Sequence, residues 1–304
     1  MKQVNIENFR QKEQAQKIFG HGFQSETNAG RGRELKLLAV YLRDECGMKP
    51  KEIWDYLVKF CEERVYDYHY RAYYRIIDAA CKYAGNKQNV LIQVDSLPVT
   101  FQEVDYIEKL DIPYEQKKVM FSILMIKKLD KACYEQRHDE EYQMGYLSAD
   151  DDKLRFLKKV SGVKSNIPRD VFYEWRKKGL IQVSYAGYIL SFMDQMAEHM
   201  KDFPHTTIME VKHFDCFGAY WDQLFRRDKM TACDVCGKPI WKTKANVCYC
   251  KEHADPYVSV PVHMIKTVEC QNCGQMFFAS AHAAKAKYCP PCAKAIKEAS
   301  KDQI

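Results

Sequence analysis

The sequence predicts a mainly α protein in three parts. A helical domain spans residues 1–145, a unit of helices and a short hairpin with a connecting helix spans 146–227, and two small metal-binding modules span 228–304. Three observations carry this reading. Apolar residues recur at helical spacing through most of the chain before the last quarter. Glycines, prolines and capping residues punctuate that pattern at intervals suited to short helices. Eight of the 13 cysteines crowd into the last quarter, mostly as Cys-x-x-Cys pairs.

The elements follow in order. The first thirty residues are polar and read as a helix with a flexible exit at Asn28-Ala29-Gly30-Arg31-Gly32. From Arg33, Leu35, Leu38, Ala39 and Leu42 fall on one helical face, and Gly47 marks the stop. Pro50 opens the next helix, with Ile53, Leu57, Phe60 and Cys61 on one stripe. A helix over residues 67–84 is expected to turn Tyr70, Tyr74, Ile77 and Cys81 inward, and Gly85 ends it. An extended piece at residues 90–94 precedes Thr100-x-x-Glu103, the pattern of a capping box. Pro113 then opens a long helix reaching Glu135.

Residues 66–75 interleave Tyr66, Tyr68, Tyr70, Tyr73 and Tyr74 with His69, Arg71 and Arg75, just after Arg64. Such a mixture suits stacking of single-stranded nucleic acid. It also suits tyrosines packed in a bundle behind a solvated arginine face, the reading that the sequence favours. Gly30-Arg31-Gly32 lacks the Lys-Ser/Thr ending of a phosphate loop.

In the middle unit Ser148-x-x-Asp151 is expected to cap a helix with Leu154, Leu157 and Val160 inward, ended by Gly162. Pro168 begins a second helix whose inward stripe is Val171, Phe172 and Trp175, stopped by Gly179. On a 3.6-residue wheel Arg169, Tyr173, Arg176 and Lys177 share the opposite side. Residues 180–183 and 188–190 are apolar and β-prone, joined around Ala186-Gly187 as a hairpin. Helix, turn, helix, hairpin is the order of a winged-helix domain, which this stretch resembles. Residues 151–180 hold nine Lys/Arg against four Asp/Glu. Arg, Lys and Tyr on the outward face of the second helix suit phosphate and guanine contact, so Arg169, Tyr173, Arg176 and Lys177 are candidate DNA contacts. Winged helices also serve as protein-interaction modules. Further on, Val211, Phe214, Phe217, Tyr220, Trp221, Leu224 and Phe225 read as one helical apolar stripe.

The last quarter repeats a motif. Cys233-Asp234-Val235-Cys236-Gly237 leads to Cys248-Tyr249-Cys250-Lys251-Glu252-His253, and Cys270-Gln271-Asn272-Cys273-Gly274 leads to Tyr288-Cys289-Pro290-Pro291-Cys292. Paired soft thiolates suit tetrahedral zinc. Each knuckle glycine is placed where the turn needs positive φ. The second cassette has four ligands, Cys270, Cys273, Cys289 and Cys292. The first has five candidates. Alignment on the shared Tyr-Cys-x-x pattern selects Cys233, Cys236, Cys250 and His253 and leaves Cys248 spare; the alternative makes Cys248 the fourth ligand. With every position filled, two zinc ions would be structural rather than catalytic. Cys-x-x-Cys-Gly followed by Lys-Tyr-Cys-x-x-Cys resembles the zinc ribbon and treble-clef knuckles common in phage and mobile-element proteins. That resemblance implies a zinc-stabilised module for contact with nucleic acid or protein.

Composition sets outer bounds. Charged residues at 29% and hydrophobic ones at 46% describe an ordinary globular chain, and 20 tyrosines make it aromatic. No N-terminal apolar stretch resembles a signal peptide, and the most hydrophobic run, residues 119–126, is too short to span a bilayer. The expectation is a cytoplasmic protein without membrane contact. The formal charge of +6 falls to about +3 when seven thiolates bind two Zn²⁺. No carboxylate cluster or nucleophile–histidine pairing points to an enzyme, since Asp150, Asp151 and Asp152 suit a helix N-terminus. The sequence therefore favours a zinc-containing DNA-binding regulatory or replication accessory protein. The alternative is an adaptor or inhibitor that engages a host protein complex through the zinc modules and helical domain.

Overall fold

The computed structural model describes residues 9–138, 140, 142, 144–201, 206–242, 249–254, 265–280, 287–289 and 291–293. Cys248, the residues before Phe9 and residues 294–304 lie outside them. The chain divides into two compact units, Met1–Trp221 and Asp222–Ile304.

The first unit opens with α1 (Gln11–His21), α2 (Asn28–Asp44), α3 (Pro50–Arg64) and α4 (Tyr70–Gly85). They share one apolar core. Leu35, Leu38, Ala39 and Leu42 of α2 meet Ile53, Leu57, Phe60 and Cys61 of α3 there, as the spacing predicts. Each such Leu contributes about 1.5–3 kcal/mol by leaving water. Helix α2 begins earlier than expected. Thr27 Oγ1 accepts from Gly30 N at 3.1 Å, so Asn28–Gly32 forms its first turns and not a flexible exit.

Helix α4 also departs from expectation. Its buried stripe is Tyr73, Ile77, Ala80 and Ala84, while Tyr70 and Tyr74 are 48% and 45% exposed. The cause is the fit against α2. Small Ala80 and Ala84 allow close approach, and Tyr73 finds polar partners there. Its hydroxyl accepts from Arg31 at 2.9 Å and donates to Asn28 at 3.2 Å.

Strand β1 (Leu97–Thr100) runs directly into α5 (Phe101–Lys109). The predicted capping box forms there: Glu103 N donates to Thr100 Oγ1 at 3.3 Å, and Thr100 N to the Glu103 carboxylate at 2.8 Å. Helix α6 (Tyr114–Glu135) is central, with every residue from Lys118 to Met125 buried. A helix buried all round belongs to a core rather than a surface.

Strand β2 (Tyr146–Ser148) follows, then α7 (Asp151–Ser161). Its cap is Asp150, whose carboxylate accepts from Asp152 N at 3.0 Å, because Ser148 is held in β2 opposite Gly187. Leu157 and Val160 are buried and Leu154 is half-buried. A π-helical turn, Ile167–Phe172, continues into α8 (Tyr173–Lys177), one turn ahead of β3 (Gln182–Ser184) and β4 (Gly187–Ile189). Strands β2, β3 and β4 form an antiparallel sheet in the order β2-β4-β3, with Tyr188 opposite both Leu147 and Val183. Gly162 and Gly179 end their helices at φ 67° and 68°.

Helix α9 (Ser191–Met200) joins α5 through Tyr106 to Gln195 at 3.0 Å and His199 to Asp105 at 3.1 Å. Strand β5 (Thr207–Val211) then pairs antiparallel with β1, Leu97 opposite Val211. Val211 is thus a strand residue, not part of a helical stripe. Helix α10 (Phe217–Phe225) buries Phe217, Tyr220 and Trp221, and Trp221 meets Phe121 of α6 at 5.4 Å. No helix among the described residues is long and apolar enough to cross a membrane.

The second unit is built on two hairpins. Strands β6 (Met230–Ala232) and β7 (Pro239–Trp241) form one, preceded by a 3-10 turn at Arg227–Lys229. Strands β8 (Ile265–Glu269) and β9 (Met276–Ser280) form the other.

Candidate metal centres and a basic face

Each hairpin of the second unit turns through a Cys-x-x-Cys-Gly knuckle. Gly237 and Gly274 take φ of 72° and 71°, a backbone region that side chains other than glycine rarely enter. The glycine N–H donates back to the first cysteine carbonyl, Gly237 to Cys233 at 2.7 Å and Gly274 to Cys270 at 2.9 Å. The strands close the knuckle from below, Cys233 N to Lys238 O at 2.8 Å and Cys270 N to Gln275 O at 2.9 Å. The repeat in sequence is therefore a repeat in backbone geometry. The second ligand pair arrives on a tight turn in both, with Ala254 N donating to Cys250 O and Ala293 N to Cys289 O.

The ligand atoms of Cys233, Cys236, Cys250 and His253 lie within 4.8 Å of one another, as do those of Cys270, Cys273, Cys289 and Cys292. Individual separations test the fit. Four thiolates about 2.3 Å from one tetrahedral ion lie about 3.8 Å apart, and an imidazole shortens its edges slightly. Cys236 to Cys250 is 3.9 Å and Cys273 to Cys289 is 3.7 Å. His253 Nδ1 is 3.6 Å from Cys233 Sγ and 3.3 Å from Cys250 Sγ. These spacings fit a shared cation and are far longer than the roughly 2.05 Å of a disulfide. Each cluster can hold one metal ion.

Electrostatics divide the thiols of each cluster: burial and the neighbouring thiols push Cys236 up to about 11, and against the Cys292 N–H they push Cys289 up to about 12, while one thiol in each cluster is lowered. Burial opposes ionisation of Cys233, but backbone N–H groups of Cys250, Cys236 and Val235, with the His253 ring, outweigh it and bring the thiol down to about 6. Cys270 is likewise brought down to about 6, burial being outweighed by the N–H groups of Cys289, Cys273 and Asn272. Asn272 Nδ2 also donates to Cys292 Sγ at 3.4 Å. Sequence spacing did not single out that support.

The four predicted DNA contacts lie together in the first unit. Val171, Phe172 and Trp175 are buried, Trp175 completely, and Trp175 Nε1 donates to Gln116 of α6 at 3.0 Å. Arg169, Tyr173, Arg176 and Lys177 are all exposed, Tyr173 at 57%. Lys177 lies 4.2 Å from the Tyr173 ring centre and 3.3 Å from the Glu174 carboxylate. Arg169 and Arg176 have no acidic side-chain partner among the described residues. The Asn166 side chain accepts from Arg169 N at 3.3 Å, and Asp170 accepts from Asn166 N at 2.9 Å, which secures the first turn.

Comparison with protein-family models, curated proteins and solved structures returns no match.

Proposed function

We propose that this protein binds duplex DNA through a winged-helix unit and carries two structural zinc ions in its C-terminal unit. The observation that carries the reading is the outward face of the π turn and α8. Four exposed side chains suited to phosphate and guanine stand opposite a stripe that anchors the helix to α6. The element order supports it: strand, helix, helix, then a hairpin whose second strand pairs with the first strand, giving β2-β4-β3. That order resembles a winged helix, and on this reading α8 would be the reading helix. Zinc is the metal proposed, because three or four thiolates with at most one imidazole suit it and leave no open position for water. The role is binding rather than catalysis.

Duplex binding measured at two salt concentrations tests the reading. Arg169→Glu with Arg176→Glu should weaken binding at least about thirtyfold, since each lost contact costs roughly 1–3 kcal/mol. Affinity of the wild type should fall steeply with salt. Lys17→Glu with Lys87→Glu, on exposed positions elsewhere, is the charge control. Equal binding by both variants, or co-purification with a protein and no duplex binding, would sink the proposal.

A further inference from the structure

We infer that α3 and α4 carry a separate surface that holds single-stranded nucleic acid by stacking. It stands on different residues from the duplex-binding proposal and does not depend on it.

The tyrosines of α4 are the starting point. Tyr73, Ile77, Ala80 and Ala84 already supply its core stripe, so Tyr70 and Tyr74 are not needed to bury the helix. Nearly half the surface of each stays open, at 48% and 45%, and Tyr66 just before the helix is fully exposed. The rings nevertheless form an ordered row. Trp54 of α3 meets Tyr74 edge to face at 5.3 Å, and Tyr74 meets Tyr70 edge to face at 5.8 Å. Such a row leaves ring faces open at the surface, and every base offers a π-face to stack on them.

Charge decides which occupant fits. Arg71 and Arg75 are exposed, stand one helical turn apart beside Tyr70 and Tyr74, and have no acidic partner among the described residues. Of the acids nearby, Asp67 lies 3.2 Å from His69, Asp78 pairs with Lys82 at 2.8 Å and Glu52 accepts from the Lys49 backbone at 2.7 Å, while Asp55 and Glu62 of α3 are exposed. The face therefore joins stacking rings to two free guanidinium groups, about 5–6 Å apart at their Cβ atoms. A polyanion with unpaired bases satisfies both. A duplex hides its base faces and would use only the charges.

The test uses the full-length protein and anisotropy of labelled oligo(dT), oligo(rU) and a duplex of the same length. Tyr66→Leu with Tyr70→Leu should lose about tenfold or more in affinity for the single strands, while Tyr66→Phe with Tyr70→Phe should stay within about twofold, because the rings remain. Arg71→Gln with Arg75→Gln should reduce the salt slope by about 1–1.5. Neither tyrosine pair should alter duplex binding, and Arg169→Glu with Arg176→Glu should leave single-strand binding unchanged. Thermal melting of each variant checks that it folds. The inference is overturned if the wild type binds neither single strand, or if the folded leucine pair binds as the wild type does. It is also overturned if this face captures a protein without any oligonucleotide binding. Preference for oligo(dT) or oligo(rU) identifies the strand chemistry.

Discussion

At the scale of single residues, metal ligands were the most legible feature because their chemistry demands fixed types at fixed spacing. Cys289 is one of four converging thiols, and its separation of 3.7 Å from Cys273 leaves no substitute ligand in reach among the described residues. Cys289→Ser should drop zinc stoichiometry from two to one per chain by elemental analysis, and two zinc in that variant would refute the assignment. His253→Ala should release the first ion, whereas His253→Cys should keep it, since a thiolate replaces the imidazole. Asn272, which touches Cys292 through its amide, was not legible, because an outer partner has no spacing rule. Asp105 gives a pH prediction. Lys109 first, then His199, hold its carboxyl below the usual carboxylate range, against burial. A depressed folded pKa means that the contact stabilises at neutral pH and its contribution is lost as pH falls through that folded value. Asp105→Asn should therefore cost up to about 1 kcal/mol at pH 7 and flatten the acid limb of the stability curve. An unchanged acid limb in urea titrations would show that the pair contributes nothing.

Elements were legible where one residue pattern had one solution. Helices α3 and α6 begin after Lys49 and Pro113 as their proline signals indicate, and Thr100-x-x-Glu103 caps α5. Helix α4 was misread because large tyrosines and small alanines compete for the inward face. Sequence reasoning favours the larger apolar surface, whereas close approach to α2 favours Ala80 and Ala84. Glycines carried information that periodicity could not. A Cβ at Gly218, near the start of α10, would fall 2.0 Å from the Ser161 carbonyl, and one at Gly187 in β4 would fall 2.2 Å from the Leu147 carbonyl. Backbone cannot yield as a flexible side chain does. Gly218→Ala should thus destabilise the first unit by about 1–3 kcal/mol or more, visible as a lowered urea midpoint at unchanged slope. Trp175→Ala should cost about 3–5 kcal/mol, since the indole is fully buried and bonded to Gln116. A loss below about 1 kcal/mol would show that α8 is not anchored as described.

For the whole molecule, the two units draw stability from different sources. The first has an extended apolar core running through α1 to α4 and around α6. The second, among its described residues, has two short hairpins gathered at cysteine clusters, an arrangement of the kind that a bound metal stabilises. Chelation should therefore remove tertiary structure from residues 222–304 while most helical circular dichroism survives, zinc supplying on the order of 10 kcal/mol to such modules. One global transition on adding chelator would contradict this. Helices and knuckles were readable because their signals are local. The pairing of β1 with β5 was not, because partners more than a hundred positions apart leave no periodic trace; Val211 read as helical for that reason.

That distant pairing governs the order in which the chain can complete itself. Leu97 waits for Val211, Phe101 N for the Thr206 carbonyl, and Phe9 for Phe214. At about 5–20 residues per second on the ribosome, β1 is made on the order of 5–20 seconds before its partner. Throughout that interval an apolar strand edge stands open. The four-helix start of the chain can form early, but the first unit closes only with its last residues. A nascent chain stalled before β5 is therefore the form of this protein most exposed to chaperones and to aggregation.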